Sequence, residues 1–190
     1  MRIVVWPCDI SVTPTGDQLL TTTLFLLRHA KSSWADPGAD DHERTLQDKG
    51  RERATELAGW MEDRALGCDL VLCSTAVRAC QTLDLVLPAL GEPEVRHAPE
   101  IYQTDANGLI ELLKAVDDSI ERVMVIGHDP VLQITATTLA MSATGDAMDR
   151  LKRKYPTSAL AMLTFGAAGW ASLGPGVGHL ELFFVPGQDG

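Results

Sequence analysis

The chain predicts an α/β fold, a largely parallel β-sheet with helices on both faces. Three features of the sequence predict it: short continuous apolar runs recur, amphipathic helical segments separate them, and a polar cluster directly follows three of the runs. Continuous apolar runs suit strands buried on both faces. Strands that alternate with helices argue for parallel pairing through helical crossovers.

Taken in order, residues 1–22 read as an extension, either an extra strand or a flexible leader, ahead of a single domain over 23–190. A chain of 190 residues fits one domain better than two. Leu24-Phe25-Leu26-Leu27 predicts the first buried strand. Thr45-Leu46-Gln47-Asp48 reads as a capping box with Asp in the Glu position, and Ala54, Leu57, Ala58 and Met61 then share one helix face. Asp69 to Cys73 predicts a second strand, with Ser74 as N-cap of a helix whose apolar stripe is Ala76, Ala79, Cys80 and Leu83. Glu94 to His97 reads as a short strand, and Leu109, Leu112, Leu113 and Val116 as a helix face. Val123 to Ile126 predicts another buried strand, followed by Asp129-Pro130 as N-cap and first-turn proline. Ala159 to Phe165 and Leu182 to Val185 read as the last strands, joined by a Gly-rich hairpin that adds an antiparallel edge.

Composition narrows the function. Hydrophobic residues make up 45% and charged residues 22%, ordinary for a soluble globular chain. The net charge of −10 and isoelectric point near 4.8 repel nucleic-acid backbone and anionic lipid, so neither is an expected partner. No apolar run approaches the ~20 residues that span a bilayer. The start, MRIVVWPCDI, lacks the apolar core and cleavage site of a signal peptide. The cysteines are Cys8, Cys68, Cys73 and Cys80, with no CxxC pair and no histidine at zinc-ligand spacing. Cys73 in a strand-like run and Cys80 on an apolar helix face read as reduced, buried thiols, so no metal is expected and the expected compartment is the cytoplasm.

The chemistry gathers behind the strands. Arg28-His29 follows LFLL, Ser74 to Arg78 follows DLVLC, and Gly127-His128-Asp129-Pro130 follows VMVI. Open α/β sheets bind ligands beyond the carboxyl ends of their strands, so these clusters meet on one edge. Two arginines, two histidines and helix N-termini on an otherwise acidic chain suit a phosphate. Guanidinium groups supply planar paired donors to its oxygens. A neutral imidazole attacks phosphorus and splits one displacement into two. Neighbouring arginines are expected to depress His29 below the ordinary ~6.5 and keep it neutral.

LLRHAKSSW, HERTLQDKGRERA, CSTAVRACQT and IGHDP, in that order, resemble the histidine phosphatase superfamily, and within it the SixA-like phosphohistidine phosphatases. The resemblance runs from about Leu24 to the C-terminus and takes in KYPTSALAML and the Gly-rich tail from Trp170 to Gly178. It implies a three-layer α/β/α sandwich of the phosphoglycerate mutase-like kind, with a mostly parallel central sheet and no metal or organic cofactor. It further implies that His29 is the phosphorylated nucleophile, Arg28 and Arg78 bind the phosphate, and His128 is the second histidine at the phosphoryl group. Arg44 matches an arginine near the pocket mouth; a simple ion pair with Glu43 or Asp48 is the alternative. Lys31 and Ser74 are further substrate-binding candidates, and Trp34 reads as rim or loop packing.

The general acid stays open. A phosphomonoester leaving group needs a proton, and Glu100 is favoured over Asp105 to supply it. A phosphohistidine substrate, with its nitrogen leaving group, depends less on an acid. The expected function is therefore a phosphohydrolase with a covalent phosphohistidine on His29, acting on a phosphohistidine-containing protein or a small phosphorylated compound. The rivals are a phosphoglycerate mutase-type isomerase, which in this superfamily carries a longer insertion before the second histidine, and a non-catalytic phosphate-binding module. His42, His97 and His179 read as structural or surface residues, and Arg150 to Lys154 as a solvated basic face or a dock for an acidic protein. Oligomeric state does not follow from the sequence.

Overall fold

The computed structural model describes residues 21–34, 38, 40–166 and 168–189. Most of the expected extension, with Cys8, lies outside these residues; Thr22 and Thr23 already belong to the first strand.

Among the described residues, seven strands form one sheet. They are β1 (Thr22–Arg28), β2 (Leu70–Cys73), β3 (Glu94–His97), β4 (Arg122–Gly127), β5 (Ala140–Ala143), β6 (Leu160–Phe165) and β7 (Gly178–Phe184), in the spatial order β3-β2-β4-β1-β6-β7-β5. The half from β3 to β1 is parallel throughout. β6 then pairs antiparallel with both β1 and β7, and β5 closes the edge parallel to β7. The final hairpin is thus internal, and its edge is β5, a strand that the sequence pattern does not reveal. The helices are α1 (Asp48–Glu62), α2 (Val77–Val86), α3 (Glu100–Gln103), α4 (Ala106–Lys114), α5 (Val131–Leu139) and α6 (Ala147–Arg153).

The period-two alternation of strands builds the three layers. Leu24, Leu26, Leu70, Leu72, Val123 and Val125 point to one face, where they pack with Leu109 and Leu113 of α4 and Leu132 and Leu139 of α5. Phe25, Leu27, Val71, Met124 and Ile126 point to the other, against Leu57 and Met61 of α1 and Leu83 and Val86 of α2. Each large aliphatic side chain so buried contributes roughly 1.5–3 kcal/mol, which fixes both register and the height at which each strand ends.

Three expected helix starts move. The N-cap of α1 is Gln47, not Thr45, whose carbonyl accepts from Ser33 N–H at 2.8 Å in the preceding loop. α2 is capped at Ala76; the Ser74 hydroxyl accepts from Ala76 N–H at 3.4 Å and is shared with a histidine ring described below. α5 begins at Val131 with Pro130 as its cap, one position later than the Asp129 cap expected.

Candidate active site

The carboxyl ends of β1, β2 and β4 stand side by side, and the ladder continues one residue past each. His29 N–H donates to the Gly127 carbonyl at 3.1 Å and Ser74 N–H to the Ile126 carbonyl at 2.9 Å. That places Arg28-His29, Ser74 and His128 around one hollow, with α2 bringing Arg78 over it.

His29 is buried. Its Nδ1–H donates to the Ala30 carbonyl at 2.8 Å, which leaves the Nε2 lone pair facing Arg78, whose Nε–H donates to it at 3.2 Å. Burial is the main cause that pushes the His29 pKa down to about 3; the bond to Ala30 opposes it, and the charges of His128, Arg78 and Arg28 add to it. The direction is the one expected, but burial leads and not the neighbouring arginines. His128 stands with its ring 5.1 Å from that of His29. Arg78 Nη2 donates to its Nδ1 at 3.4 Å, so Nε2 carries the proton and donates to Ser74 Oγ at 2.8 Å. Its pKa falls to about 4, again through burial first and then Arg78. Two neutral imidazoles with assigned tautomers therefore face one guanidinium.

Arg78 is 6% exposed, contrary to the solvated position that its place off the α2 apolar stripe suggests. That flank of α2 covers the hollow instead of meeting solvent. Arg28 enters from the β6 side: its Nη1 donates to the Tyr155 carbonyl at 2.5 Å and lies 3.6 Å from Asp129. Tyr155 is fully buried and its hydroxyl donates to the Leu26 carbonyl at 2.5 Å, so the KYPTSA segment clamps the end of β1. Arg28 Nε is buried without a partner among the described residues, a donor free for an oxyanion.

Asp41, His42 and Tyr102 join the site unannounced by the sequence pattern. Asp41 opens a 3-10 turn (Asp41–Glu43) between the first two strands. Its backbone carbonyl accepts from Arg78 Nη1 at 2.5 Å, and its Oδ2 accepts from Arg78 Nη2 at 3.0 Å and from Tyr102 hydroxyl at 2.9 Å. Its Oδ1 accepts from Arg44 Nη1 at 2.6 Å. Burial opposes ionisation, yet the bonds from Tyr102, Arg44 and Arg78 hold the Asp41 carboxyl at about 2. Arg44 thus pairs with Asp41, not with Glu43 or Asp48, and also bonds Ser32 Oγ and the Ser33 carbonyl while stacking on exposed Trp34. The rings of Tyr102 and His42 meet edge to face at 4.9 Å, and Tyr102 meets His128 at 5.5 Å. His42 reads from the sequence as a structural or surface residue, and Asp41 and Tyr102 carry no pattern that marks them.

The other candidates lie further out. Lys31 is exposed, and it is its carbonyl that is used, accepting from Gln47 N–H at 3.0 Å. Asp105 caps α4 through a bond from Gly108 N–H at 2.8 Å. Glu100, expected as general acid, is exposed at the first position of α3 and makes no side-chain bond to the pocket. Thr82 is a missed positioning residue: buried, it accepts from Ala30 N–H at 2.9 Å and donates to the Arg78 carbonyl at 2.6 Å, tying α2 to the His29 loop. A groove of about 530 Å³, lined by Cys68, Asp69, Leu90 and Arg122, opens at the opposite edge of the sheet. It holds none of these groups, and its cation Arg122 is bonded to Asp69 at 2.7 Å.

Comparison with known proteins agrees with this geometry. The profile of the histidine phosphatase superfamily (branch 1) matches residues 24–173. A Mycobacterium tuberculosis protein described as uncharacterized is 37% identical over 162 residues, 84% of this chain and 99% of its own length. The phosphohistidine phosphatase SixA of Escherichia coli is 27% identical over 149 residues, 77% of this chain and 87% of the relative. Among solved structures, one from Nakamurella multipartitia, provisionally named a phosphohistidine phosphatase SixA, superposes with a TM-score of 0.75 at 30% identity, covering 88% of this chain and 97% of its own. On the profile match and these identities, the chain belongs to the histidine phosphatase superfamily.

Proposed function

We propose that the chain is a phosphohydrolase that forms a phosphohistidine on His29 Nε2, and that its substrate is a phosphohistidine side chain or another phosphoryl group on a good leaving group. The observation that carries the substrate class is the state of the carboxylates. Asp41 is held ionised near 2 by its three donors, Asp105 is spent on a helix cap, and Glu100 faces solvent. None of these three is placed to hand a proton to an alkoxide, which needs one to leave, and Asp129, the carboxylate beside His128, is paired with Arg28 at 3.6 Å. A phosphorylated imidazole takes a proton from solvent on its other ring nitrogen and departs as neutral imidazole.

In the first step His29 Nε2 bonds to phosphorus as the substrate P–N bond breaks and its electron pair returns to the leaving nitrogen. Arg28 and Arg78 take the charge of the equatorial oxygens, and the His128 ring lines the same space. Water then attacks phospho-His29, the pair returns to Nε2, and inorganic phosphate leaves. The interval between Arg78 and His128 holds only two strands, two short helices and the end of α2 with a 3-10 turn, with no long insertion of the mutase kind. That supports a hydrolase over a mutase. The burial of Cys68 and Cys73 suits reduced thiols and supports a cytoplasmic protein.

Rates on phosphohistidine, an aryl phosphate and glycerol phosphate, for the wild type and Glu100→Gln, test the reading. The first two should turn over, the alkyl ester should lag by orders of magnitude, and Glu100→Gln should change nothing. Comparable turnover of the alkyl ester, or its selective loss in Glu100→Gln, contradicts it.

A further inference from the structure

The linear spacing of the cysteines argues against a metal, but folding reverses that argument. Cys73 ends β2 and His97 ends β3, and the parallel register pairs these two residues directly. Register partners in neighbouring strands project to the same face. α2 then returns over that face and delivers Cys80. The Sγ atoms of Cys73 and Cys80 and a ring nitrogen of His97 all lie within 4.8 Å of one another, with Cys80 Sγ 3.8 Å from His97 Nδ1.

From these residues we infer a metal site of Cys73, Cys80 and His97 for a borderline-soft divalent cation, Zn²⁺ in the first place. Tetrahedral zinc with Zn–S of about 2.3 Å and Zn–N of about 2.1 Å puts sulfur and nitrogen roughly 3.6 Å apart and two sulfurs about 3.8 Å apart. The 3.8 Å between Cys80 Sγ and His97 Nδ1 nearly meets the first, and the sulfurs, within 4.8 Å of each other, reach the second by a movement of about 1 Å or less. Cys73 is fully buried, Cys80 partly exposed and His97 at the surface, so the cation enters past the imidazole and completes its shell with water on the open side. The bound form balances as two thiols losing two protons to solvent while Zn²⁺ gains two thiolates and one neutral imidazole, an uncharged set suited to a half-buried place.

Both thiols now donate to the Ser74 carbonyl, Cys73 at 3.3 Å and Cys80 at 3.5 Å. Desolvation raises the pKa of both, and the nearby Asp84 charge adds to it. They are therefore protonated, unreactive thiols until a cation displaces the protons. The two cysteines also bracket the segment that carries Ser74 and Arg78, so an occupied site ties down both ends of that loop.

The test uses the reduced full-length protein stripped of metal, with Co²⁺ as spectroscopic probe and Zn²⁺ in thermal melts. One equivalent of Co²⁺ should produce a near-ultraviolet thiolate-to-cobalt band that Zn²⁺ bleaches, and Zn²⁺ should raise the Tm. Cys80→Ser and His97→Ala, at partly exposed and exposed positions, should lose or sharply weaken both signals, while Cys8→Ser and Cys68→Ser keep them. Melts of the metal-free variants establish that they are folded. No band, a band equally strong in Cys80→Ser and His97→Ala, or a Cys73–Cys80 disulfide that forms in place of metal uptake overturns the assignment.

Discussion

Gly50 lies in α1, far from any reacting atom, yet the structure makes it a gauge of how tightly the His29 loop is held. A Cβ at Gly50 would lie 2.2 Å from the Lys31 carbonyl oxygen and 2.9 Å from the Lys31 nitrogen, both backbone atoms two residues beyond His29. Restoring ordinary contact requires a shift of about 1 Å, and misplacement on that scale costs about 10²-fold in rate. The loop has little slack: Lys31 carbonyl accepts from Gln47 N–H at 3.0 Å, Gln47 Nε2 donates to the Ser32 carbonyl at 2.9 Å, and Ala30 N–H is tied to Thr82. Overpacking of this kind destabilises by about 1–3 kcal/mol. The same helix supplies the control. Gly59 has nothing within 4 Å of its would-be Cβ, so Gly59→Ala should gain about 0.5–1 kcal/mol from helix propensity alone. Urea unfolding and kcat/KM on an aryl phosphate, measured on both variants, decide the matter. A Gly50→Ala protein as stable and active as Gly59→Ala refutes the close packing of α1 on the loop.

The remaining predictions concern charge. His29 and His128 titrate near 3 and 4 in the folded chain, below the unfolded ~6.5, so the unfolded state binds more protons between those values and stability falls as pH falls. Urea midpoints at pH 7, 6 and 5 should decline, each histidine adding a slope of up to about 1.4 kcal/mol per pH unit; a flat profile contradicts neutral buried rings. The Asp41 carboxylate occupies Arg78 donors that the proposed mechanism gives to a phosphoryl oxygen, through a pair that is partly exposed and worth roughly 0–1 kcal/mol. Asp41→Asn should therefore tighten inhibition by inorganic phosphate by up to about fivefold, whereas weaker inhibition would make Asp41 an organiser of the arginines instead of a competitor.

What the sequence disclosed was the part governed by local pattern. LFLL, DLVLC and VMVI are buried strands because no polar residue interrupts them, and a parallel sheet puts the residues behind each on one edge. His29, Ser74, Arg78 and His128 were legible for that reason. What stayed hidden depends on packing across the chain. β5 carries two exposed residues and reads as a loop, since only its pairing with β7 makes it a strand. Ser74 has the chemistry of a helix cap, but its hydroxyl is shared between Ala76 N–H and the His128 ring. Asp41 and Tyr102 meet across 61 positions of sequence, and Cys73 with His97 only through strand register, contacts that no spacing rule contains.

The central claim is a phosphoryl group carried on one named nitrogen. Rapid quenching of the enzyme with a ³²P-labelled phosphoryl donor, followed by peptide mapping, tests it most directly. The account predicts acid-labile, base-stable label on the peptide containing His29 and none in His29→Ala, which should also lose turnover. Label on another residue, or undiminished hydrolysis by His29→Ala, would contradict it.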